Sequence, residues 1–304
     1  MLRNEVIAVR KRHTDTVRPL PRGGLSPGAT INGRATVDHE RELRDYCCRI
    51  YGWDDARTDL VDEATQSLLA AVTRGAAIAL RGESDLVPTA YALHRRLLGF
   101  DRPFVVCDPR RGDGPGSVRS PPNCRGGLDA LMAAAGGSIC IRARRLPADF
   151  DALTEALRGP GPTAQVFICL SDRDRVRDLL SPPLEIPTLG GRTADLDRLA
   201  GECLEEATRA LGVGRMRFSG VASDSVLRSV TSLAEIERIM LRLVALKSSP
   251  NMTQAARRLR VAPVSLSRWL HRRRPTMVLR DVARLEYEDA AEARRGTGAT
   301  GDAS

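Results

Sequence analysis

The sequence predicts an α/β protein: a parallel β-sheet with helices on both faces, followed by an all-helical C-terminal region. Three observations carry that reading. Short unbroken apolar runs (AAIAL, PFVVC, SICIR, AQVFICL) alternate with stretches of helical spacing, and strands covered on both faces need such runs. From Ala194 onward the alternation stops and the spacing stays helical. With 304 residues, 42% hydrophobic and 28% charged, the chain has material for one or two packed domains, which excludes wholesale disorder.

Residues 1–38 hold one short strand-like stretch, Glu5–Arg10, and then a Pro-, Gly- and Arg-rich run without packing pattern, so a flexible basic arm is expected. In HERELRDYCCRIYGW, Leu43, Tyr46, Cys47 and Ile50 share one helical face. DLVDEATQSLLAAVTRG is a helix closing on glycine. Ala76–Leu80 is a buried strand ending at Gly82-Glu83-Ser84, Thr89–Leu98 a helix and Pro103–Cys107 a strand. Residues 108–127 form a loop. LDALMAAAG is a short helix, Ser138–Arg142 a strand, ADFDALTEALRG a helix and Ala164–Leu170 a strand. Helices follow in ADLDRLAGECLEEATRALG, near SDSVLRSV and in SLAEIERIMLRLVAL, and residues 281–304 form a polar tail.

The net charge of +9 is local. Nine of the 47 basic residues, and none of the 38 acidic ones, lie between Lys247 and Arg280, so the rest of the chain is balanced. An acid-free basic segment is the electrostatic footprint of a polyanion site. Only two lysines occur, Lys11 and Lys247. The seven cysteines are odd in number, lack a Cys-x-x-Cys pair and mostly sit in apolar runs, as buried free thiols do. Neither a signal peptide nor a stretch of about 20 apolar residues is visible, so no membrane partner and a cytoplasmic, nucleoid-associated location are expected.

Within the basic segment, NMTQAARRLRVAPVSLSRWLHRR has the proportions of two short helices and a tight turn. Asn251 with Gln254 suits a capped start; Ala255, Ala256 and Leu259 face inward, as do Leu266 and Leu270. Ser265, Ser267, Arg268, His271 and Arg272 are left outward, where a recognition helix meets the major groove. The segment resembles the Fis-type helix-turn-helix at Asn251, Thr253, Ala255, Ala256, Leu259, Val261, Ser265, Leu266 and Leu270. It departs at Arg260, where that family prefers glycine, and at Pro263, where arginine is common. The resemblance implies double-stranded DNA as partner. Arg268 is expected at a base edge, Ser265 and Thr253 at phosphates, and Arg272, Arg273 and Arg274 along the backbone, with Gln254, Arg257 and His271 on the same surface. Trp269 is expected to anchor the helix. Leu233, Ile236, Ile239, Met240 and Leu243 form an apolar stripe that either dimerises, as in Fis-like domains, or packs on preceding helices of its own chain.

Upstream, from about Asp59, the landmarks resemble in order the AAA+ module of sigma-54-dependent enhancer-binding regulators: AAIALRGES at the phosphate-loop strand, ALHRRLLGFDRPFVVCD, GGLDALMAAAGGSICI with LP after it, VFICLSDRD at a sensor strand and LEIPTLGGRTADLDRLAGE at a lid entrance. This implies a degenerate AAA+ α/β domain over 39–187, a helical lid over 188–230 and a Fis-type domain over 231–280. The chemistry departs from the family. A phosphate loop needs glycines and a lysine, whereas Gly82, Glu83, Ser84 and Asp85 run on to Pro88 with neither. Arg142 stands where the family has Mg²⁺-binding carboxylates, and Asp172 beside Arg173 lies near the sensor position. The loop that engages sigma-54 has no counterpart. Four scattered histidines give no metal set, and no nucleophile has a matched base.

The expected protein is therefore a sequence-specific DNA-binding transcriptional regulator without enzymatic activity, cofactor or metal, acting as a homodimer or higher homo-oligomer. Two other readings stand beside it: an oligomeric module regulating active AAA+ relatives, and an enzyme with an unorthodox nucleotide site.

Overall fold

The computed structural model describes residues 33–113, 121–159, 163–171, 182–190, 192–216, 218 and 225–275. The stretch Glu5–Arg10, Asp172, the arginines that follow it and the tail 281–304 lie outside these residues. The described chain forms two compact units, one up to residue 187 and one from residue 188. Among the described residues no helix is long and apolar enough to cross a membrane.

The first unit is a six-stranded, all-parallel sheet with helices on both faces, in the order β3 (Asn123–Cys124), β2 (Phe104–Cys107), β4 (Ser138–Arg142), β5 (Gln165–Leu170), β1 (Ile78–Arg81), β6 (Leu184–Glu185). Helix α1 (Gly33–Tyr51) buries Leu43, Tyr46, Cys47 and Ile50, the face its spacing predicts, against α2 (Thr58–Arg74) and α3 (Val87–Leu98). Helix α2 ends on Gly75 at φ 62°, a left-handed position that glycine adopts without a Cβ penalty. The central strands are β1 (Ile78–Arg81), β2 (Phe104–Cys107), β4 (Ser138–Arg142) and β5 (Gln165–Leu170), each within two residues of its expected position. Val105, Cys107, Ile139 and Ile141 point to the face covered by α4 (Gly127–Ala133) and α5 (Phe150–Arg158), through Ala130, Leu131, Ala134 and Leu153. On the other face Phe104 packs between Tyr91 of α3 and Phe167, with ring centroids 5.2 and 5.9 Å away.

Two short edge strands were not expected. In β3 (Asn123–Cys124), the buried Asn123 amide donates to the carbonyls of Asp108 and Arg111 and accepts from the Asp108 N–H, tying down the loop after β2. In β6 (Leu184–Glu185), which sequence analysis assigned to a lid entrance, Leu184 and Glu185 pair with Leu80 and Arg81. Strands of two residues have no periodicity to read.

The second unit is all-helical. Its core is α8 (Leu233–Lys247), buried on nearly every side and packed along α6 (Leu196–Ala210) and α9 (Met252–Leu259), with the short α7 (Ser225–Arg228) preceding it. Ser232 starts α8 by accepting from the Glu235 N–H, while the Glu235 carboxylate accepts from the Thr231 N–H, a reciprocal cap. Leu233, Ile236, Ile239, Met240 and Leu243 are all buried inside this unit, so the stripe packs on its own chain instead of offering a dimer face.

Candidate nucleic-acid interface

Helices α9 and α10 (Pro263–Arg273) are the two short helices the sequence places on either side of a turn. The side chain of Asn251 accepts from the Gln254 N–H at 2.8 Å, capping α9 as the sequence indicates. Arg260 closes α9 in the left-handed region at φ 53°, and the Val261 N–H returns to the Ala256 carbonyl at 3.0 Å. A left-handed arginine costs about 1 kcal/mol relative to the usual glycine, and the hydrogen-bonded turn absorbs that strain. Pro263 opens α10, where a missing N–H costs nothing.

Ala255, Ala256, Leu259, Leu266 and Leu270 are buried, and their small or aliphatic side chains let the two helices approach closely. The opposite surface holds the predicted contact residues. Thr253, Gln254, Arg257, Ser265, Arg268, His271, Arg272 and Arg274 are exposed. Ser267 is half-buried. Arg273, expected along a DNA backbone, instead reaches back to Glu235 at 2.6 Å and to Ser229. It serves to lock the end of α10 onto the start of α8. A second brace is Trp269, whose ring lies 4.8 Å from the Arg242 guanidinium on α8. Burial, together with the neighbouring Arg238 and Arg273, brings the Arg242 pKa down to about 10. Trp269 is thus half-buried against the scaffold, in the anchoring role expected of it.

The segment that the sequence resemblance sets at a phosphate loop lies in the first unit, after β1. Gly82 is packed so tightly that a Cβ there would approach the Ile186 carbonyl oxygen to 2.8 Å, so the glycine admits the chain leaving β6. Glu83 is exposed and Ser84 half-buried, while Leu86 and Val87 turn inward as core residues. The Val87 N–H donates to Asp85, and Pro88 has no N–H, so neither of these positions at the start of α3 offers a free backbone donor. Arg142, at the end of β4, extends to Asp85 at 2.8 Å and lies 3.4 Å from Asp108. Arg145 bonds the same buried Asp108 at 2.8 Å. The Asp85 charge is paired with Arg142. Two carboxylates and two guanidiniums close the carboxyl edge of β1, β2 and β4, the place where open α/β sheets bind ligands. Lys247 belongs to the second unit, where its ammonium lies 4.7 Å from the Phe218 ring.

No protein-family model matches this chain, and no curated protein matches it. Two solved structures of NtrX from Brucella abortus are similar at 13% identity over 78% of this chain. The complex with ADP is covered over 74% of its chain at a TM-score of 0.40, and the complex with ATP over 72% at 0.42.

Arg258, Arg260 and Val264 are also exposed on this surface and are not among the contacts expected from the sequence. The two arginines were legible as charge within the segment. Val264 carried no signal, because an apolar residue in an amphipathic pattern is read as core until its exposure is seen. Among the described residues, no group of three His, Cys, Asp or Glu side chains gathers to hold a metal.

Proposed function

We propose that this chain is a sequence-specific DNA-binding regulator whose α/β unit is a non-hydrolysing relative of the AAA+ modules in sigma-54-dependent regulators. The observation that carries the proposal is the outward face of α9 and α10. Six arginines (Arg257, Arg258, Arg260, Arg268, Arg272 and Arg274) are exposed along α9, the turn and α10, a helix braced to its scaffold, and no acidic residue lies between Lys247 and Pro275. A braced, basic and largely exposed helix fits the major groove, and its first turns meet base edges. The paired Asp85–Arg142–Asp108–Arg145 cluster supports the second half of the proposal, since a triphosphate would have to displace ion pairs already made. Two protomers on an inverted repeat belong to the same proposal, joined through a surface other than the buried α8 stripe.

The test is selection of genomic fragments by the full chain, followed by footprinting. A discrete protected site is expected, and Arg268→Ala should relax base preference at one position by about 1–3 kcal/mol. In calorimetry, ATP with Mg²⁺ should give no binding heat. Equal affinity for all fragments would remove the first half of the proposal, and turnover of ATP the second.

A further inference from the structure

The recognition helix carries one side chain that folding does not explain. Val264 is 65% exposed, the one large hydrophobic so exposed among the described residues of the second unit. Valine is a poor choice for an exposed helical position, because its branched Cβ restricts χ1 and its apolar surface gains nothing in water. It sits in the first turn of α10, four residues before Arg268 and therefore on the same stripe, beside the exposed Ser265. Everything else charged on this face is cationic.

Resting on the DNA-binding reading above, we propose that Val264 is a specificity residue whose isopropyl group packs on the C5-methyl of a thymine in the major groove. The charge of the surrounding face commits the occupant to a polyanion, and in the major groove the apolar feature of the bases is the thymine methyl. The helix also fixes the spacing. One turn advances 5.4 Å while successive base pairs are 3.4 Å apart, so the thymine lies about one or two base pairs from the guanine read by Arg268.

The experiment uses the full chain and the footprinted site, with each thymine replaced in turn by deoxyuridine, which removes one methyl and nothing else. For the natural sequence, one replacement within two base pairs of the Arg268-dependent guanine should weaken binding about three- to ten-fold. Val264→Ala should bind the natural site correspondingly less well and be indifferent to that replacement. Val264→Thr, which keeps a methyl, should restore part of the discrimination. The inference is overturned if deoxyuridine is harmless at every position, or if Val264→Ala suffers the same loss as the natural sequence. Failure to find any specific fragment would instead defeat the DNA-binding reading itself, and this inference with it. Unchanged melting temperatures for both variants confirm that binding alone is altered.

Discussion

At the scale of single residues, His94 shows what burial does to a group that the sequence could only place on a helix. Its ring is fully buried between α3 and β4, with Nδ1 2.7 Å from Ser138 Oγ and Nε2 3.1 Å from the Arg102 carbonyl. A carbonyl only accepts, so Nε2 carries the proton and Nδ1 accepts from the serine hydroxyl. Burial, outweighing the Arg102 hydrogen bond and aided by the nearby Arg95 charge, lowers the pKa to about 4. The unfolded chain, with histidine near its ordinary value, therefore binds more protons than the folded one between pH 6.5 and 4. Stability from this residue is whole above that window and falls as pH drops through it, by on the order of 3 kcal/mol. Denaturant titrations at pH 7.5, 6 and 4.5 should show this slope in the natural protein and lack it in His94→Gln. A variant that keeps the full slope would show that other groups carry it. Arg142 teaches the complementary lesson: the sequence places an arginine at the end of a strand, but does not show that it turns to hold Asp85 and Asp108.

Elements were legible where they are long enough to repeat. Every helix of ten or more residues that packs a face, such as α1 and α8, announces itself by spacing, and the four central strands do so by unbroken apolar runs. The two-residue strands β3 and β6 did not, and neither did the way α4 begins. Its N-cap, Gly126, has no side chain to offer. Asp149, 23 residues later, supplies the carboxylate, accepting from the N–H groups of Gly127 at 2.7 Å and Leu128 at 3.0 Å. These bonds, the Leu128 one foremost, hold the Asp149 pKa below the usual carboxylate range. The bond is local chemistry made by tertiary proximity, so no pattern along the chain reveals it. Asp149→Ala should cost the sheet unit about 1–2 kcal/mol, as loss of an N-cap does. Hydrogen exchange should quicken at the Gly127 and Leu128 amides first. Because the folded pKa is the lower one, the cost should be full at neutral pH and shrink as pH falls through the folded value, below pH 4. Unchanged exchange at these amides would deny Asp149 its capping role.

At the scale of the whole molecule, the net charge of +9 belongs to one segment of the chain, six of whose arginines are exposed on α9 and α10, and that makes salt dependence diagnostic. The α/β unit contains its own balance, with Arg44–Asp62, Arg81–Glu185 and Arg145–Asp108 pairs consuming charge internally. The α9–α10 face has no acidic partner within its segment, so its arginines are available to neutralise phosphates as a group. Each phosphate contact releases counterions and adds about −0.9 to the slope of log affinity against log salt. Six exposed arginines thus set an upper bound of about −5 per protomer, reached only if all of them meet the backbone. Arg272→Ala should reduce the slope by about 1 and weaken all sequences alike, because a phosphate contact carries no base information. Arg268→Ala should change preference more than slope. Arg57→Ala, exposed but in the other unit, should alter neither. Titrations of the full chain from 50 to 300 mM salt with specific and scrambled duplexes separate these outcomes. An equal loss of slope in Arg57→Ala and Arg272→Ala would mean that the protein binds DNA as a diffuse cation, and the localised interface would have to be abandoned.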